Sequence, residues 1–394
     1  MHQRPSRRLF LRTATLATTL VPTLSAWIPT SARPTNTASL RLGILGTGSR
    51  GQQAIRQALN FPGVQISAIC DTNPDAVRQA LSLFTALGQP RPVVYAEGES
   101  AFQQLLRRDD IDGVVIAASG NWQVPMAIAA MKAGKYAGLT VSTPTTVRES
   151  QRLVDTFEQT GTPLMFLERT CYHPDTLAVL NQIRQGDFGE ITHARSGYQQ
   201  PGASSAPYPT HGLGPVAQWL NINRGNRFVS LSSTMTKSRG LVALSPKSST
   251  AGSLSADYTL GNVITTIIQC ASGAVVELIH DSETPRPYAA GFRVQGTAGG
   301  WTGGEHNSPK DQTSADSLMM RDFVESVRNR TAPPINAYDA ALWSCIHSLA
   351  EQSLAAGGQA VAIPDFTSRS VQPPAHPDSV AYGPETCGAG RSCG

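Results

Sequence analysis

The strongest constraint on how this chain folds lies in residues 40–51, LRLGILGTGSRG. An apolar run breaks there into three glycines, Gly46, Gly48 and Gly51, at G-x-G-x-x-G spacing. Such a run suits a strand buried on both faces, and the glycines suit the point where a parallel strand turns into a helix. Gly46 permits the tight turn, Gly48 lets the backbone approach a pyrophosphate, and Gly51 lets the helix pack close to its strand. Ser49 and Arg50 open that helix, where backbone N–H groups and the helix dipole favour a phosphate. A second apolar run, VQISAIC at 64–70, ends at Asp71, 25 positions after Gly46. A carboxylate there bonds an adenosine ribose, and it favours NAD because a 2′-phosphate would meet like charge.

The pattern after the turn alternates strand and helix, as a doubly wound parallel sheet requires. Helices are expected over 74–87 with Asn73 as cap, 101–108, 125–133 and 147–160, and strands over 92–95, 113–118 and 136–141. Open parallel sheets bind ligands beyond the carboxyl ends of their strands, so Ser119-Gly120-Asn121-Trp122-Gln123 supplies further cofactor contacts, Asn121 and Trp122 among them. The expectation is an α/β Rossmann domain over 39–165, an α+β open-faced sheet domain over 166–366 and a flexible tail over 367–394. With 394 residues and 40% hydrophobic content, the chain has enough apolar side chain for two such cores.

The first 32 residues stand apart from both. Ser6 to Arg12, SRRLFLR, closely matches the twin-arginine export pattern, and a modestly apolar stretch with small residues at a cleavage point follows it. That stretch is too short and too rich in Thr to span a bilayer stably. The expectation is a folded protein exported by the twin-arginine machinery to the periplasm or beyond. Because that route carries folded cargo, the cofactor would be loaded beforehand and retained. The chain has 32 basic and 28 acidic residues, and four Arg with no acid fall in residues 1–32, leaving 28 against 28. Nothing then supports a nucleic-acid partner. Cys70, Cys171, Cys270 and Cys345 lie in apolar segments and read as core, whereas Cys387 and Cys393 sit in a Gly-rich end where an oxidising compartment permits a disulfide. No Cys/His spacing resembles a zinc site, so no metal is expected.

In the second half, strands are expected over 163–167, 190–199, 228–237, 262–270 and 274–280, the last two joined by a hairpin at Ala271-Ser272-Gly273. Helices are expected over 173–185, 318–329 and 338–357, and residues 245–255 read as a loop. The stretch PYPTHGLGPVAQWLNINRGNR, 207–227, sets Tyr208 and His211 just before apolar positions at helical spacing. A His and a Tyr at a helix entry can move a proton to and from a sugar hydroxyl. The same two residues also read as a helix cap and a core tyrosine, and the residues alone leave both readings open.

The order PMAIAAMKAGK, strand, then an x-x-Pro turn resembles the glucose-fructose oxidoreductase/inositol dehydrogenase superfamily. YPTHGLGPVAQWLNINRG, Cys171-Tyr172, Gly197-Tyr198 and HDSETPRPY at 280–288 are together similar to glycoside hydrolase family 109, a branch of it. The resemblance implies an exported NAD-dependent glycosidase, typically an α-N-acetylgalactosaminidase. In that chemistry the sugar is oxidised at C3, the ketone acidifies the C2 proton, its loss expels the C1 aglycone, water adds, and C3 is reduced again. It assigns proton transfers to His211 and Tyr172, and a carbohydrate pocket to Tyr198, Tyr208, Thr210, His211 and Tyr288. It also implies sheets that pair face to face in a homo-oligomer.

The chain departs from this pattern at several places. Ser142-Thr143-Pro144 stands where the superfamily has Glu-Lys-Pro and family 109 has Glu-Val-Pro. Trp122-Gln123 stands for a Trp-His pair near the nicotinamide, and Arg169 for an Asn. Only residues 199–207 separate Tyr198 from Tyr208, where relatives carry an insert with a sugar-binding Arg. Two other readings therefore accompany the glycosidase: a periplasmic sugar oxidoreductase with retained NAD(P), and a non-catalytic sugar- or nucleotide-binding homologue.

Overall fold

The structure, a computed structural model, describes residues 39–141, 145–199, 209–237, 263–281, 289–303 and 309–368. The export segment, Ser142-Thr143-Pro144, Tyr208, the loop at 245–255, Tyr288, and Cys387 and Cys393 lie outside the described residues.

Strands β1 (Leu40–Leu45), β2 (Val64–Cys70), β3 (Val93–Tyr95), β4 (Gly113–Ile116), β5 (Tyr136–Thr140) and β6 (Leu164–Leu167) form one sheet. The order is β3-β2-β1-β4-β5-β6, every pair parallel. This is the doubly wound α/β arrangement, and its strands read as continuous apolar runs because helices cover both faces. β4 (GVVI) and β6 (LMFL) are buried at every position. The helices between them are α1 (Ser49–Leu59), α2 (Pro74–Ala86), α3 (Ala101–Leu106), α4 (Gln123–Lys132) and α5 (Val147–Thr160). Their ends follow local chemistry. Asn73 accepts hydrogen bonds from the N–H groups of Asp75 and Ala76 at the start of α2, a cap worth about 1 kcal/mol. Thr146 and Glu149 form a reciprocal capping box on α5, and Gly161, at φ +63°, ends it.

After a short 3-10 turn, Arg169–Tyr172, helix α6 (Pro174–Gln185) leads into the second sheet. Its strands are β7 (Ile191–Gln199), β8 (Phe228–Met235), β9 (Val263–Cys270), β10 (Val275–Asp281), β11 (Phe292–Gly296), β12 (Gly300–Gly303) and β13 (Val361–Ala362). The order is β12-β11-β7-β10-β9-β8-β13, mixed because β10 runs parallel to β7 and antiparallel to β9. Gly273, at φ +91°, makes the β9–β10 hairpin turn expected from the sequence. β9 alternates buried positions with half-buried or exposed ones, so only one face enters the core.

Helix α7 (Pro209–Trp219) packs on β7, and Gly212 makes the approach close enough that a Cβ there would lie 3.0 Å from the Gly197 nitrogen. His211 therefore sits within the first turn of α7. The sequence alone sets it before the helix, because the apolar spacing begins only at Val216. Leu220 and Ile222 lie past the helix end, where Asn221 and Asn223 adopt positive φ.

Two helices tie the layers together. α8 (Pro309–Asn329) runs back to the first sheet, where the Phe323 ring occupies the space a side chain at Gly138 would need and meets Tyr136 edge-on at 5.9 Å. Its first turns, PKDQTSADS, have no apolar period, so the sequence shows only the later part. α9 (Ala337–Ala355) is buried along most of its length, with Trp343 against Phe166 at 6.1 Å. Arg224 donates to both carboxylate oxygens of Asp339 at 2.9 and 2.6 Å, fixing the turn after α7 to the start of α9. Among the described residues, no helix is long and apolar enough to cross a membrane. Cys70, Cys171, Cys270 and Cys345 are buried free thiols, and burial pushes the Cys70, Cys270 and Cys345 thiols up to about 12.

Candidate active site

Two cavities lie near the glycine turn and the helix that follows it. Gly46, Gly48, Asp71, Glu99, Trp122 and Met126 border a cleft of about 370 Å³. Gly46 has φ +94°, and a Cβ on it would strike the backbone of Ala117 and Ala118. A Cβ on Gly51 would lie 2.0 Å from the Gly46 carbonyl oxygen, so the helix can start here only with glycine. Gly48 differs: a Cβ there meets nothing within 4 Å. Two glycines are demanded by packing, and the third opens onto the cleft, at the end of a helix that attracts phosphate.

Asp71 is fixed at the edge of that cleft. One carboxylate oxygen accepts from the Thr47 N–H at 2.6 Å and its hydroxyl at 3.1 Å, and the other accepts from the Asn73 N–H at 2.9 Å. Ser49, Arg50 and Asn121 are exposed, and Trp122 packs edge-on against Phe102 at 6.2 Å. Gln123, its neighbour in the expected Trp-Gln pair, is turned inward and donates to the Ala118 carbonyl at 2.8 Å. These residues fit an NAD: an open glycine, a helix start and a placed acid.

A smaller cavity of about 130 Å³ lies among Arg50, Thr140, Val141, Arg169, His211 and Asp316. Arg50 donates to the Val141 carbonyl at the end of β5. Asp316, from α8, accepts from Gln53 and stands 3.8 Å from the Arg169 guanidinium. Burial pushes its carboxyl up, and Arg169 and Gln53 oppose that shift.

The chemistry of this cavity centres on His211. Its Nδ1 lies 2.8 Å from Oε1 of Glu168, which has no solvent exposure and also accepts from the Thr170 N–H at 3.1 Å and its hydroxyl at 2.7 Å. Burial alone would raise the Glu168 carboxyl, but the His211 imidazole and hydrogen bonds from His211 and Thr170 outweigh it and hold the group at about 2. An ionised Glu168 can only accept, so Nδ1 carries a proton and proton exchange with a ligand falls to Nε2. Sequence reasoning missed Glu168. The available signal was an acid ending a buried strand, LMFLE, because a charge placed there requires a partner.

The structure keeps His211 and Tyr172 in different surroundings. Tyr172 is 2% exposed, and its hydroxyl faces Asp322 of α8, whose carboxyl burial pushes up. Tyr198 stacks on His280 at 5.9 Å and 7°, and also contacts the His211 ring at 5.9 Å. It borders a third, smaller cavity of about 30 Å³ with His280 and His347. Thr210 is buried beside Glu168.

The fold and glycine turn define the class: an NAD-binding oxidoreductase fold carrying a second, mixed-sheet domain. The chain matches the oxidoreductase family with an NAD-binding Rossmann fold over residues 40–167, and the C-terminal domain of glycosyl hydrolase 109 over 203–309 and 304–372. It is 38% identical over 403 residues to an alpha-N-acetylgalactosaminidase of Tannerella forsythia, covering 83% of this chain and 86% of that protein. It is 35% identical over 404 residues to a glycosyl hydrolase family 109 protein of Parabacteroides distasonis, covering 83% and 87%. A myo-inositol dehydrogenase from Lactobacillus casei, solved with NAD(H) and myo-inositol, shares the fold at TM-score 0.67 and 17% identity, covering 83% of this chain and 99% of that one. The chain belongs to glycosyl hydrolase family 109: it is an NAD-binding glycosidase on an oxidoreductase fold.

Proposed function

We propose that this enzyme is an exported glycosidase that keeps its NAD bound and acts on a terminal amino sugar, of the α-N-acetylgalactosaminide kind or a related hexose. The observation that carries this reading is the Glu168–His211 pair at the cavity lined by Arg50, Arg169 and Asp316. Bound NAD supplies an acceptor that takes one hydride from the sugar and returns it. Gly48 and the start of α1 hold its phosphates, Asp71 its adenosine ribose, and Trp122 walls the cleft. His211 takes the proton of the sugar hydroxyl through Nε2, while Glu168 stabilises the imidazolium that results. A second proton transfer, at C2, belongs to Tyr172 in this reading. That role requires its hydroxyl to turn from Asp322 toward the sugar. No pair of carboxylates flanking the glycosidic bond is then needed.

Export by the twin-arginine route supports cofactor retention, because a compartment without free dinucleotide offers none to exchange. Pairing through the half-buried outer face of the second sheet, where Thr265 and Ile267 face away from the core, would give the homo-oligomer. The test uses protein purified from a periplasmic extract with p-nitrophenyl N-acetylhexosaminides, following both aglycone release and NADH absorbance. Release without net NADH is expected. Accumulation of oxidised sugar would replace the glycosidase with a sugar oxidoreductase, and neither signal would leave a binding protein. Absence of nucleotide from the denatured protein would overturn retention.

A further inference from the structure

The cavity beside His211 carries more positive charge than the reaction uses. Among the described residues its bordering ionisable groups are Arg50, Arg169, His211 and Asp316, two guanidiniums against one carboxylate. The second nearby carboxylate, Glu168, is fully buried and already held by the imidazole and Thr170. Arg50 spends a donor on the Val141 carbonyl and belongs to the helix start that faces the cofactor. Asp316 is shared: it accepts from Gln53, and Arg169 reaches it at only 3.8 Å, beyond hydrogen-bond length.

Arg169 is thus the group whose capacity is least used. Its side chain is two-thirds buried, at 32% exposure, and it offers five N–H donors in a rigid fork. Among the described residues its Nε is buried with no acceptor. A buried guanidinium N–H without an acceptor is costly unless something in the cavity accepts from it. The fork matches a planar or tetrahedral oxyanion, which it binds through two parallel hydrogen bonds.

We propose that Arg169 is a specificity residue for an anionic substituent on the sugar, a carboxylate or a sulfate ester, so that the preferred substrates are acidic glycosides. This rests on the glycosidase reading for the reaction but not for the binding. Asp316 then serves to hold the fork in place when the cavity is empty, and Gln53 keeps that carboxylate turned toward it. The anion adds a second anchor to the sugar, opposite His211, and fixes which hydroxyl meets Nε2.

The test is calorimetric titration of the NAD-loaded protein with galacturonate and N-acetylgalactosamine 6-sulfate against galactose and N-acetylgalactosamine. Arg169→Asn and Arg169→Lys are titrated beside the wild type, with nucleotide content and thermal unfolding measured on each. We expect at least one acidic sugar to bind about tenfold or more tightly than its neutral counterpart, as a charge-assisted bidentate contact implies. Arg169→Asn loses that preference with its nucleotide retained, and Arg169→Lys keeps only part of it. Equal binding of acidic and neutral sugars, or a preference that survives in Arg169→Asn, overturns the proposal. Loss of bound NAD from Arg169→Asn also overturns it, by assigning the guanidinium to the cofactor's phosphates. An acidic preference without aglycone release from any glycoside would instead defeat the glycosidase reading and leave the binding role standing.

Discussion

Glu168 and His211, 43 positions apart in sequence, meet through a 2.8 Å contact between Oε1 and Nδ1, and the glutamate has no exposure to water. The end of β6 supplies the acid and the first turn of α7 supplies the base. A fixed Nδ1–H gives the imidazole one orientation and one tautomer, which a lone surface histidine lacks.

Glu168→Gln tests that relationship. The amide is close in shape, but it lacks the charge that stabilises the imidazolium and can present a donor to Nδ1. Turnover should fall by about 10² or more, as when the acid of a comparable acid–His pair is made neutral. NAD content after denaturation should match the wild type. Turnover within a few-fold of wild type would remove Glu168 from the mechanism.

Gly48 and Gly51 should separate binding from folding. A methyl at Gly51 collides with the Gly46 carbonyl, so Gly51→Ala should lower stability by about 1–3 kcal/mol or more in denaturant unfolding. A methyl at Gly48 meets open space, so Gly48→Ala should leave the unfolding midpoint of nucleotide-free protein nearly unchanged while reducing bound NAD. Equal nucleotide content in Gly48→Ala and wild type would show that the phosphates lie elsewhere.

His280 predicts an acid dependence of stability. Burial first, then the neighbouring His347, depresses the His280 imidazole to about 4, against partial opposition from Asp281. His347 is itself lowered by burial while Glu351 opposes the shift, and the Tyr198 ring covers His280. Because the folded value lies below the ordinary 6.5, the unfolded chain binds the proton more readily. The stability from neutral His280 is complete above pH 6.5 and is lost as pH falls toward 4. Glu168, held at about 2 against an ordinary 4.5, adds a second loss below that window. His280→Phe should flatten the melting temperature between pH 6.5 and 4 while leaving the lower loss in place. An unchanged slope would assign the upper window to other groups.

Arg224 and Asp339 form a buried pair, with side chains 6% and 1% exposed. Arg224→Ala leaves the Asp339 carboxylate without its guanidinium, and breaking such a pair costs about 3–5 kcal/mol. Urea unfolding should show that loss with an unchanged denaturant slope, and a cost below about 1 kcal/mol would mean that water replaces the arginine.

Elements with local signals were legible in the sequence. α5 spans Val147–Thr160 as its amphipathic spacing required, and β2 ends at Cys70 where the apolar run stops. β11, β12 and β13 were not: FRVQG and GWTG mix Gly and polar residues with single apolar ones, and two residues at β13 show no period. The early turns of α8 escaped for a related reason: their polar residues are helical because the later turns pack Phe323 against Gly138, not because of their own pattern.

By itself the sequence determined the doubly wound sheet, the glycine turn and its acid, since glycine spacing, buried runs and caps act over a few residues. Tertiary structure alone decided the company each site residue keeps. It joined His211 to Glu168, faced Tyr172 toward Asp322, and set Arg169 beside a shared carboxylate. A buried charge must find its partner in space, and no spacing along the chain records which partner the packing of β6, α7 and α8 will bring.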